Sequence, residues 1–260
     1  MKNVLSLGHK NASMIKKIYV LIPAYKARKT LPLLFKRVPK NIYNSVECFV
    51  IVEDCNEGDT ASVDNALIDK YSKIHVLHHN ENKGYAQSQK TGYEYCLKQG
   101  ADVCVLLHAD GQYSPEEMEK LYGPIINDTA DVVLGSRMKN WRNALRGGMP
   151  YYKFVANIIL TRLENLFFRM NLSEYHSGYM IYSKKALEII PYAKLSDTFH
   201  FDGEMLLMAG KCNLRILDIE ISTHYGNEVS HLRPIRYGVN VLKVVVKNFF
   251  GHYDKILKSR

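Results

Sequence analysis

The chain has 260 residues, 47% of them hydrophobic, and a formal net charge of +9. This length and hydrophobic content allow a full buried core, so we expect a folded protein and exclude intrinsic disorder. No run approaches the roughly 18 consecutive apolar residues that a membrane span needs, and residues 1–17 lack the apolar centre of a secretion signal, so we expect any membrane contact to be peripheral.

The cysteines indicate the cellular compartment, and the distribution of charge indicates possible partners. The five cysteines are scattered without metal-ligand spacing, and Cys48 and Cys104 lie within apolar runs, which predicts reduced core residues in a cytoplasmic protein. Residues 1–40 contain ten Lys or Arg and no acid, and residues 231–260 contain seven basic residues and one acid. These basic ends either contact an anionic partner, such as a membrane surface or a nucleic acid, or are ordinary solvated side chains.

The first predicted element is a buried strand at Ile18–Ile22 that stops at Pro23. A short loop up to Lys26 and a helix around Leu31–Val38 follow. The loop after the first strand of a parallel sheet is where a nucleotide base or ribose usually lies.

The second predicted strand, Val46–Val52, is followed by Glu53 and Asp54. A carboxylate at this edge of a sheet can accept hydrogen bonds from a ribose or from a base. A helix cap is the alternative, but Asp59 and Thr60 already supply a cap for the next helix.

A third strand is predicted at Ile74–His78, followed by a helix that ends near Gly100. Gly84 provides backbone freedom and Lys83 a cation near the start of this helix, which favours a seat for an anionic diphosphate.

The central strand, Val103–Leu107, is an apolar run typical of a strand buried on both faces. His108, Asp110 and Gln112 follow at alternate positions, so in an extended segment they would point the same way and share one cation. The alternative is a polar turn before a helix, because Ser114–Glu117 has the sequence of a capping box.

Strands alternate with helices up to a strand at Asp131–Leu134, which predicts a mostly parallel, Rossmann-like, three-layer α/β/α sandwich. The chain has no glycine-rich dinucleotide or P-loop pattern, so hydride transfer and P-loop ATP hydrolysis are disfavoured.

Three later segments have helical patterns. Arg142–Phe168 leads from a basic loop into a long apolar-periodic helix, and Phe201–Ala209 carries Asp202 and Glu204 at its head. These two acids are either catalytic or an N-cap and a first-turn acid. Ile235–Phe250 is basic and amphipathic, which suits either a membrane surface or docking on the rest of the protein.

Several ordered motifs together resemble the family-two glycosyltransferases of the GT-A fold. The resemblance is greatest to the branch that contains dolichol-phosphate mannose synthase and bacterial polyprenyl-phosphate sugar transferases. It covers residues 17–240 and rests on Ile22–Tyr25, Val52–Asp54, Asn82–Gly84, His108–Gln112, Gly135–Arg137, Arg146–Pro150, His176–Tyr179, Phe201–Glu204 and His224–Tyr225.

This resemblance implies a nucleotide-sugar site and a metal site. The nucleotide-sugar residues would be Pro23, Ala24, Tyr25, Glu53, Asp54, Lys83, Gly84, Ala109, Asp110 and Arg137. A divalent cation, Mn²⁺ or Mg²⁺, would lie on Asp110 and Gln112, with His108 in the place of the family's first acid. Lys26-Ala27 also stands where the family usually has Asn-Glu, so the nucleotide-binding contacts would differ from the usual pattern.

The resemblance also implies the catalytic and acceptor groups. Asp110 would act through the cation, and Asp202, with a slight preference, or Glu204 would be the base for a hydroxyl acceptor. A lipid phosphate acceptor is already ionised and would need no base. Arg146, Lys153 and Ser177 would hold an acceptor phosphate.

We therefore expect an inverting, metal-dependent glycosyltransferase at the cytoplasmic face of a membrane, with a UDP- or GDP-sugar donor and a polyprenyl-phosphate or saccharide acceptor. Its parts would be a basic tail (1–16), a catalytic domain (17–230, with a nucleotide-sugar half 17–138 and an acceptor half 139–230) and a basic amphipathic segment (231–260). We expect no nucleic-acid partner and leave the oligomeric state open. The alternatives are a nucleotidyltransferase, a degenerate GT-A binding module and a nucleic-acid-binding protein.

Overall fold

The computed structural model describes residues 16–55, 60–222 and 234–259, without the side chains of 60–64 and 234. The basic tail up to residue 15, the proposed cap at Asp59, the His224–Tyr225 motif and the boundary after residue 230 lie outside the described residues.

One mixed seven-stranded sheet forms the centre of the protein, with strand order β3-β2-β1-β4-β6-β5-β7. Neighbouring strands are parallel except where β6 pairs antiparallel with β4 and β5. The predicted mostly parallel sheet is therefore confirmed. The strands are β1 (Ile18–Ala24), β2 (Cys48–Asp54), β3 (Ile74–His79), β4 (Val103–Leu106), β5 (Val132–Ser136), β6 (Met180–Ser183) and β7 (Ile216–Glu220).

Helices cover both faces of this sheet. They are α1 (Leu31–Arg37), α2 (Lys40–Ser45), α3 (Thr60–Lys70), α4 (Tyr85–Lys98), α5 (Met118–Ile126), α6 (Trp141–Arg146), α7 (Tyr151–Phe168), α8 (Lys184–Ile189), α9 (Phe201–Lys211), α10 (Pro234–Phe249) and α11 (His252–Lys258). Short 3-10 helices lie at Pro115–Glu117 and Tyr192–Lys194.

Successive side chains of β1 point to opposite faces of the sheet and contribute to two separate parts of the core. Val20 and Ile22 pack on the face that α1 and α5 cover, whereas Tyr19 and Leu21 pack on the face covered by α4 and α9. This period of two is what a strand buried on both sides requires. The result is the predicted three-layer arrangement, with the sheet between two helical layers.

The expectation that the first strand stops at Pro23 is wrong. Pro23 and Ala24 pair with Val52 and Glu53 of β2. On the other side, β4 pairs with β1 only as far as Leu21, whose carbonyl accepts the amide of Leu107. Because residues 21 and 23 face the same side of the strand, the nitrogen of Pro23 lies beyond the end of β4, where no ladder bond needs an N–H.

Two helix predictions also need correction. The capping box at Ser114–Glu117 is wrong, because the Ser114 side chain makes no cap hydrogen bond and a 3-10 turn precedes α5. The basic loop predicted from Arg142 is instead the short helix α6, and the long helix that follows it is α7. The break between the two helices coincides with Gly148, at φ +88°, and Pro150, the N-cap of α7. Proline cannot donate a helical hydrogen bond, so it begins the second helix instead of continuing the first.

Helix α10 combines the two interpretations of the amphipathic segment. Val241, Val244 and Val245 are buried against the protein. The stripe named from the sequence is exposed instead: Ile235, Val239, Leu242, Val246 and Phe249. None of the described helices is long and apolar enough to cross a bilayer.

Candidate active site

The carboxyl ends of β1, β2 and β4 meet at one edge of the sheet. Ala24 is in register with Glu53, and β4 ends next to β1 just before His108. The structure thus brings together residues that the sequence placed after three separate strands, as expected for the ligand-binding edge of an open α/β sheet.

Glu53 and Asp54 are buried, at 2% and 3% exposure. The Glu53 carboxylate lies 2.8 Å from Nδ1 of His78 on the neighbouring strand. Asp54 binds its neighbour His79 at 2.9 Å and also accepts the backbone amides of Lys83 and Gly84 at 2.8 and 2.7 Å. Asp54 therefore fastens the loop before α4 to the end of β2.

Gly84 is the N-cap of α4 and has φ +88°. A side chain is strained in this region of backbone conformation, so glycine suits the turn that presents its amide to Asp54. Lys83, next to it, has an exposed side chain. Pro23 and Ala24 end β1, and Tyr25 beyond them is 41% exposed with the ammonium of Lys26 over its ring.

Residues 108–112 do not continue the strand, so the extended arrangement expected from their alternate spacing is wrong. The chain turns at Ala109 and Asp110, and Gly111 has φ +76°. The backbone amide of Gln112 donates to Oδ1 of Asp110 at 2.9 Å, which holds the exposed carboxylate at this turn.

An arginine that the sequence analysis did not identify binds this turn through a backbone carbonyl. Arg37, in the last turn of α1, donates to the carbonyl of Gly111 at 2.8 Å and pairs with Glu116 at 3.0 Å. Together with Asp110 and Ser222 they line an open groove of about 660 Å³. The sequence signal that could have suggested Arg37 is its place at the basic end of a predicted helix.

The imidazole of His108 joins a chain of hydrogen-bonded side chains that leads to the buried Asp202. The hydroxyl of Tyr85 donates to Oδ2 of Asp202 at 2.9 Å and lies 2.7 Å from Nε2 of His108. A phenol has one hydrogen, so Nε2 must carry the proton of this second bond. Nε2 of His108 is therefore already hydrogen-bonded. Metal binding by His108 stays a prediction.

Asp202 is 7% exposed and lies within the first turn of α9, whose N-cap is His200. Its second oxygen accepts the amide of Gln89 at 3.0 Å. Burial raises the pKa of Asp202 above its ordinary value, although the neighbouring donors act in the opposite direction. Burial, together with Asp202, also raises the pKa of Tyr85, which keeps the phenol protonated as a donor.

Both carboxylate oxygens of Glu204 accept hydrogen bonds from other parts of the protein. It accepts the amide of Ser196 at 3.1 Å, the Ser196 hydroxyl, and the hydroxyl of Tyr253 at 2.5 Å. These bonds fasten α9 to the preceding loop and to α11. Of the two acids named from the sequence, Asp202 is the one connected to the end of β4.

Arg137 follows β5 and is 8% exposed. Its backbone amide and Nε each donate to the buried Glu174 at 2.9 Å, and its Nη2 donates to Glu174 and, at 2.6 Å, to the carbonyl of His176. The guanidinium thus clamps the 174–176 loop to β5, a partner that the sequence alone did not suggest.

The three acceptor residues implied by the resemblance lie in separate elements. Arg146 is exposed in the last turn of α6, and Lys153 is half-buried in the first turn of α7. Ser177 is buried in the loop before β6, where its hydroxyl accepts the amide of Tyr179 at 3.3 Å. Their shared role stays a prediction.

Gly178 explains why the loop can approach β4 so closely. A Cβ built at this glycine would lie 2.3 Å from the ring of His108. The amide of Gly178 also donates to the hydroxyl of Tyr113 at 2.9 Å. The loop before β6 therefore packs directly on the residue that links β4 to Asp202.

Asp110 and Gln112 suit a hard divalent cation, because carboxylate and amide oxygens are the donors that Mg²⁺ and Mn²⁺ prefer. Asp110 is exposed at the groove, where oxygens of a diphosphate could complete the coordination. The residues of this chain therefore fit the predicted cation.

Sequence comparisons give the chain close relatives in one family. Residues 19–190 match the sequence model described as glycosyl transferase family 2. The chain is 30% identical over 240 residues to the UDP-N-acetylglucosamine–dolichyl-phosphate N-acetylglucosaminyltransferase of Methanococcus voltae, covering 87% of this chain and 91% of the relative. It is 26% identical over 177 residues to the polyprenol monophosphomannose synthase of Mycolicibacterium smegmatis, covering 66% and 63% of the two chains.

Comparison with solved structures identifies the fold. Glucosyl-3-phosphoglycerate synthase from Mycobacterium tuberculosis, solved with Mn²⁺, UDP and phosphoglyceric acid, matches with a TM-score of 0.65. The match covers 91% of this chain and 78% of the solved chain at 13% identity, so it shows the fold alone. It confirms the predicted GT-A fold.

Proposed function

The chain belongs to glycosyltransferase family 2, and from this premise we propose that it transfers a sugar from a nucleotide-sugar donor to a polyprenyl phosphate. One observation carries the choice of acceptor. The similarity to a dolichyl-phosphate sugar transferase extends over 87% of this chain, beyond the nucleotide-sugar half into the region that would receive the acceptor.

We propose that the donor lies along the carboxyl ends of β1, β2 and β4. Tyr25 and Glu53 would contact the base and ribose, and Asp54 would act by holding the amides of Lys83 and Gly84 in place. Mn²⁺ or Mg²⁺ on Asp110 and Gln112 would stabilise the negative charge that develops on the departing diphosphate. The exposed ammonium of Lys83 supplies a second positive charge near the same edge.

The acceptor decides what Asp202 does. An ionised phosphate oxygen attacks the anomeric carbon without losing a proton, so a general base is not required. Both oxygens of Asp202 are already engaged, by Tyr85 and Gln89. We therefore assign Asp202 a positioning role, in which it fixes Tyr85 and through it His108 and the turn that carries Asp110.

A single displacement at the anomeric carbon inverts its configuration, so the proposed reaction is inverting. Arg146 lies on α6 and Lys153 in the first turn of α7, and the same two helices carry the exposed aromatic side chains of Trp141 and Tyr151. A phosphate held by basic residues beside an apolar surface is the arrangement expected for a lipid-linked acceptor at a membrane.

The exposed apolar side chains of α7 and α10 support contact with an anionic bilayer. The two helices touch where Phe167 and Phe249 pack with ring centroids 6.3 Å apart and where Asn248 donates to the carbonyl of Phe167. The exposed cations Lys243 and Lys247 lie on the same helix as Phe249. Apolar insertion and attraction to anionic lipid would then add together.

The test of the donor site is calorimetric titration with UDP and with GDP, each with Mn²⁺, with Mg²⁺ and with chelator. We expect one nucleotide to bind in a metal-dependent way and Asp110→Ala to abolish this binding, because the substitution removes the carboxylate of the cation site. Glu94→Ala is the matched control, since Glu94 is an exposed acid that pairs with Lys98 on the same helix, α4. It should bind as the wild type does.

Binding of neither nucleotide under any condition would overturn the donor site and favour the degenerate binding module or the nucleic-acid-binding protein. Nucleotide binding without sugar transfer to a polyprenyl phosphate would overturn the proposed acceptor. Transfer to the lipid phosphate, lost in Asp110→Ala and kept in Glu94→Ala, is the result that the proposal requires.

A further inference from the structure

A second group of possible metal ligands lies outside the nucleotide-sugar edge, in the acceptor half. Within the described part of the chain, Glu164 of α7, His176 of the loop before β6 and His200 at the N-cap of α9 place one ligand atom each within 4.8 Å of one another. Glu164 and His200 are fully buried, and the side chain of His176 is 8% exposed.

The atoms that face one another lie at ion-pair distance but make no hydrogen bond with any described residue. Oε1 of Glu164 lies 3.1 Å from Nε2 of His200, and Oε2 lies 3.2 Å from Nε2 of His176. Neither approach has hydrogen-bonding geometry, and all four atoms are buried without a hydrogen-bond partner among the described residues. Such groups are costly to bury unless something else satisfies them.

A cation between these atoms would satisfy all of them. Two ligands at zinc-like bond lengths and tetrahedral angles lie roughly 3.3–3.6 Å apart. The observed 3.1 and 3.2 Å separations are within a few tenths of an ångström of that spacing.

The outer side of both rings supports metal binding. The hydroxyl of Tyr237 on α10 lies 2.9 Å from Nδ1 of His176 and 3.2 Å from Nδ1 of His200. A phenol oxygen has two lone pairs, so it can accept both Nδ1 hydrogens and leave both Nε2 lone pairs directed at the cluster. A hydrogen bond on the far nitrogen is the usual way in which a protein orients a metal-binding histidine.

We propose that Glu164, His176 and His200 bind one divalent metal ion of the zinc class, separate from the cation of Asp110 and Gln112. Two imidazoles and a carboxylate favour Zn²⁺ and its first-row neighbours, whereas the oxygen donors of the other site favour Mg²⁺ or Mn²⁺. The inference does not depend on the proposed transfer reaction.

The ion would fasten the acceptor half together. It would join α7, the 174–176 loop that Arg137 clamps, and the start of α9, while Tyr237 adds α10. Asp202 follows His200 by two positions on α9. The ion would therefore fix the helix that positions Tyr85, without contacting the donor.

The experiment measures metal content of the tag-free protein, purified from zinc-supplemented medium and dialysed, by inductively coupled plasma mass spectrometry. We expect about one equivalent of zinc per chain. Chelator-stripped protein is then titrated with Zn²⁺ and with Co²⁺, whose visible absorption reports nitrogen and oxygen ligation. We expect a single site that takes either ion, and no competition from Mg²⁺.

The variants separate this site from its surroundings. Tyr237→Phe should weaken Zn²⁺ binding about tenfold, because loss of an outer-sphere partner typically costs roughly 10–100-fold. Glu164→Gln and His200→Asn should weaken it further. His75→Asn is the control, since His75 is exposed and stacks on Tyr95 away from the cluster. Asp110→Ala should keep its zinc while losing metal-dependent nucleotide binding.

Absence of zinc from the purified wild type, together with a folded stripped protein that binds neither Zn²⁺ nor Co²⁺, would overturn the inference. Retention of the site in Glu164→Gln and His200→Asn, each checked for folding by circular dichroism, would overturn it too. Loss of zinc in Asp110→Ala would show that the metal belongs to the nucleotide edge and would also overturn it.

Discussion

Tyr85 is the residue through which three elements of the candidate site meet. It begins α4, its hydroxyl reaches Asp202 on α9, and the same hydroxyl binds His108 at the end of β4. Because α4 begins at the loop that Asp54 holds, the nucleotide-sugar half and the acceptor half are connected by hydrogen bonds in the interior. A change at any member should therefore alter the position of the others.

We expect Asp202→Asn to lower kcat about 100-fold with a polyprenyl-phosphate acceptor, because small displacements of catalytic groups cost that much. Tyr85→Phe removes the same connection and should have a similar effect. The double variant should be no slower than the slower single variant, since both remove one chain of bonds. The measurement is steady-state kinetics of all four proteins, together with the Mn²⁺ concentration that half-saturates nucleotide binding.

A general base would give a different pattern. Asp202→Asn would then be much slower than Tyr85→Phe, and the Mn²⁺ requirement would not change. Additive effects in the double variant would contradict the positioning role. Gln87→Ala serves as a control on α4, because Gln87 binds only Asp197 at the surface and should leave kcat unchanged.

The location of these residues could be predicted, but their partners could not. Glu53, Asp54 and His108 follow apolar strands, and that pattern is local in the sequence. Their hydrogen bonds reach His78, Gly84 and Tyr85, which are 23 to 30 positions away. Such distant pairs depend on strand order and helix packing, which no single stretch of sequence reveals.

At the scale of elements, predictability depended on length and hydrophobic contrast. β4 is a fully buried apolar run and was predicted within one residue. β6 has four residues, and β7 mixes half-buried positions with polar ones, so neither was predicted. A proline is acceptable in a strand at a position where the neighbouring strand has already ended. At Pro23 that depends on where β4 ends, which the sequence of β1 does not reveal.

Asp131 joins three of these elements at the start of β5. Its side chain accepts the amide and Nε of Arg215 before β7 at 2.9 and 3.0 Å, and pairs with Lys185 of α8 at 3.2 Å. Hydrogen bonds from Arg215 hold the pKa of this carboxyl well below its usual range despite its burial. The charged form is therefore more stable in the folded state than in the unfolded state.

We expect Asp131→Asn to lower the free energy of unfolding at pH 7 by about 1–3 kcal/mol, because a buried charge-assisted network loses its acceptor. The carboxylate's contribution is complete above its unfolded pKa, near 3.9, and is lost as the pH falls through its lower folded pKa. The difference between variant and wild type should therefore shrink below about pH 4. Urea unfolding followed by circular dichroism from pH 3 to 7 measures this.

Asp128→Asn is the matched control, since Asp128 also pairs with Arg215 but its side chain is 84% exposed. Exposed ion pairs contribute little, so this variant should unfold with the wild type. A destabilisation by Asp131→Asn that stays constant down to pH 3 would contradict the electrostatic explanation.

At the scale of the whole molecule, exposed apolar side chains are concentrated on neighbouring helices. Helix α7 presents Tyr151, Tyr152, Ile159, Leu166 and Phe167, and α10 presents the stripe from Ile235 to Phe249, continued by Phe250. Large exposed apolar patches on a folded protein usually mark a contact site. Here the sequence predicted an amphipathic segment correctly, but only the structure shows that the buried valines of α10 leave the named stripe outside.

We expect the protein to bind vesicles that contain anionic lipid, to bind neutral vesicles less, and to dissociate as salt is raised. Replacing Phe249 and Phe250 by Ser should weaken binding at least tenfold, because burying one large apolar side chain is worth about 1.5–3 kcal/mol. Lys243→Gln with Lys247→Gln should reduce binding to anionic vesicles alone, at about 1 kcal/mol for each charge. Cosedimentation with vesicles of the two compositions measures all of these.

Ile68→Ser tests whether the effect belongs to this face, because Ile68 is 42% exposed on α3, outside the two helices α7 and α10. It should bind vesicles as the wild type does. Equal loss in this control would mean that any exposed apolar residue promotes adsorption, and binding to neutral and anionic vesicles alike would remove the role of the basic side chains. A preference for anionic vesicles that disappears only when α10 is changed would instead place the acceptor half against the bilayer, since α10 packs on α7, whose first turn carries Lys153 of the proposed phosphate site.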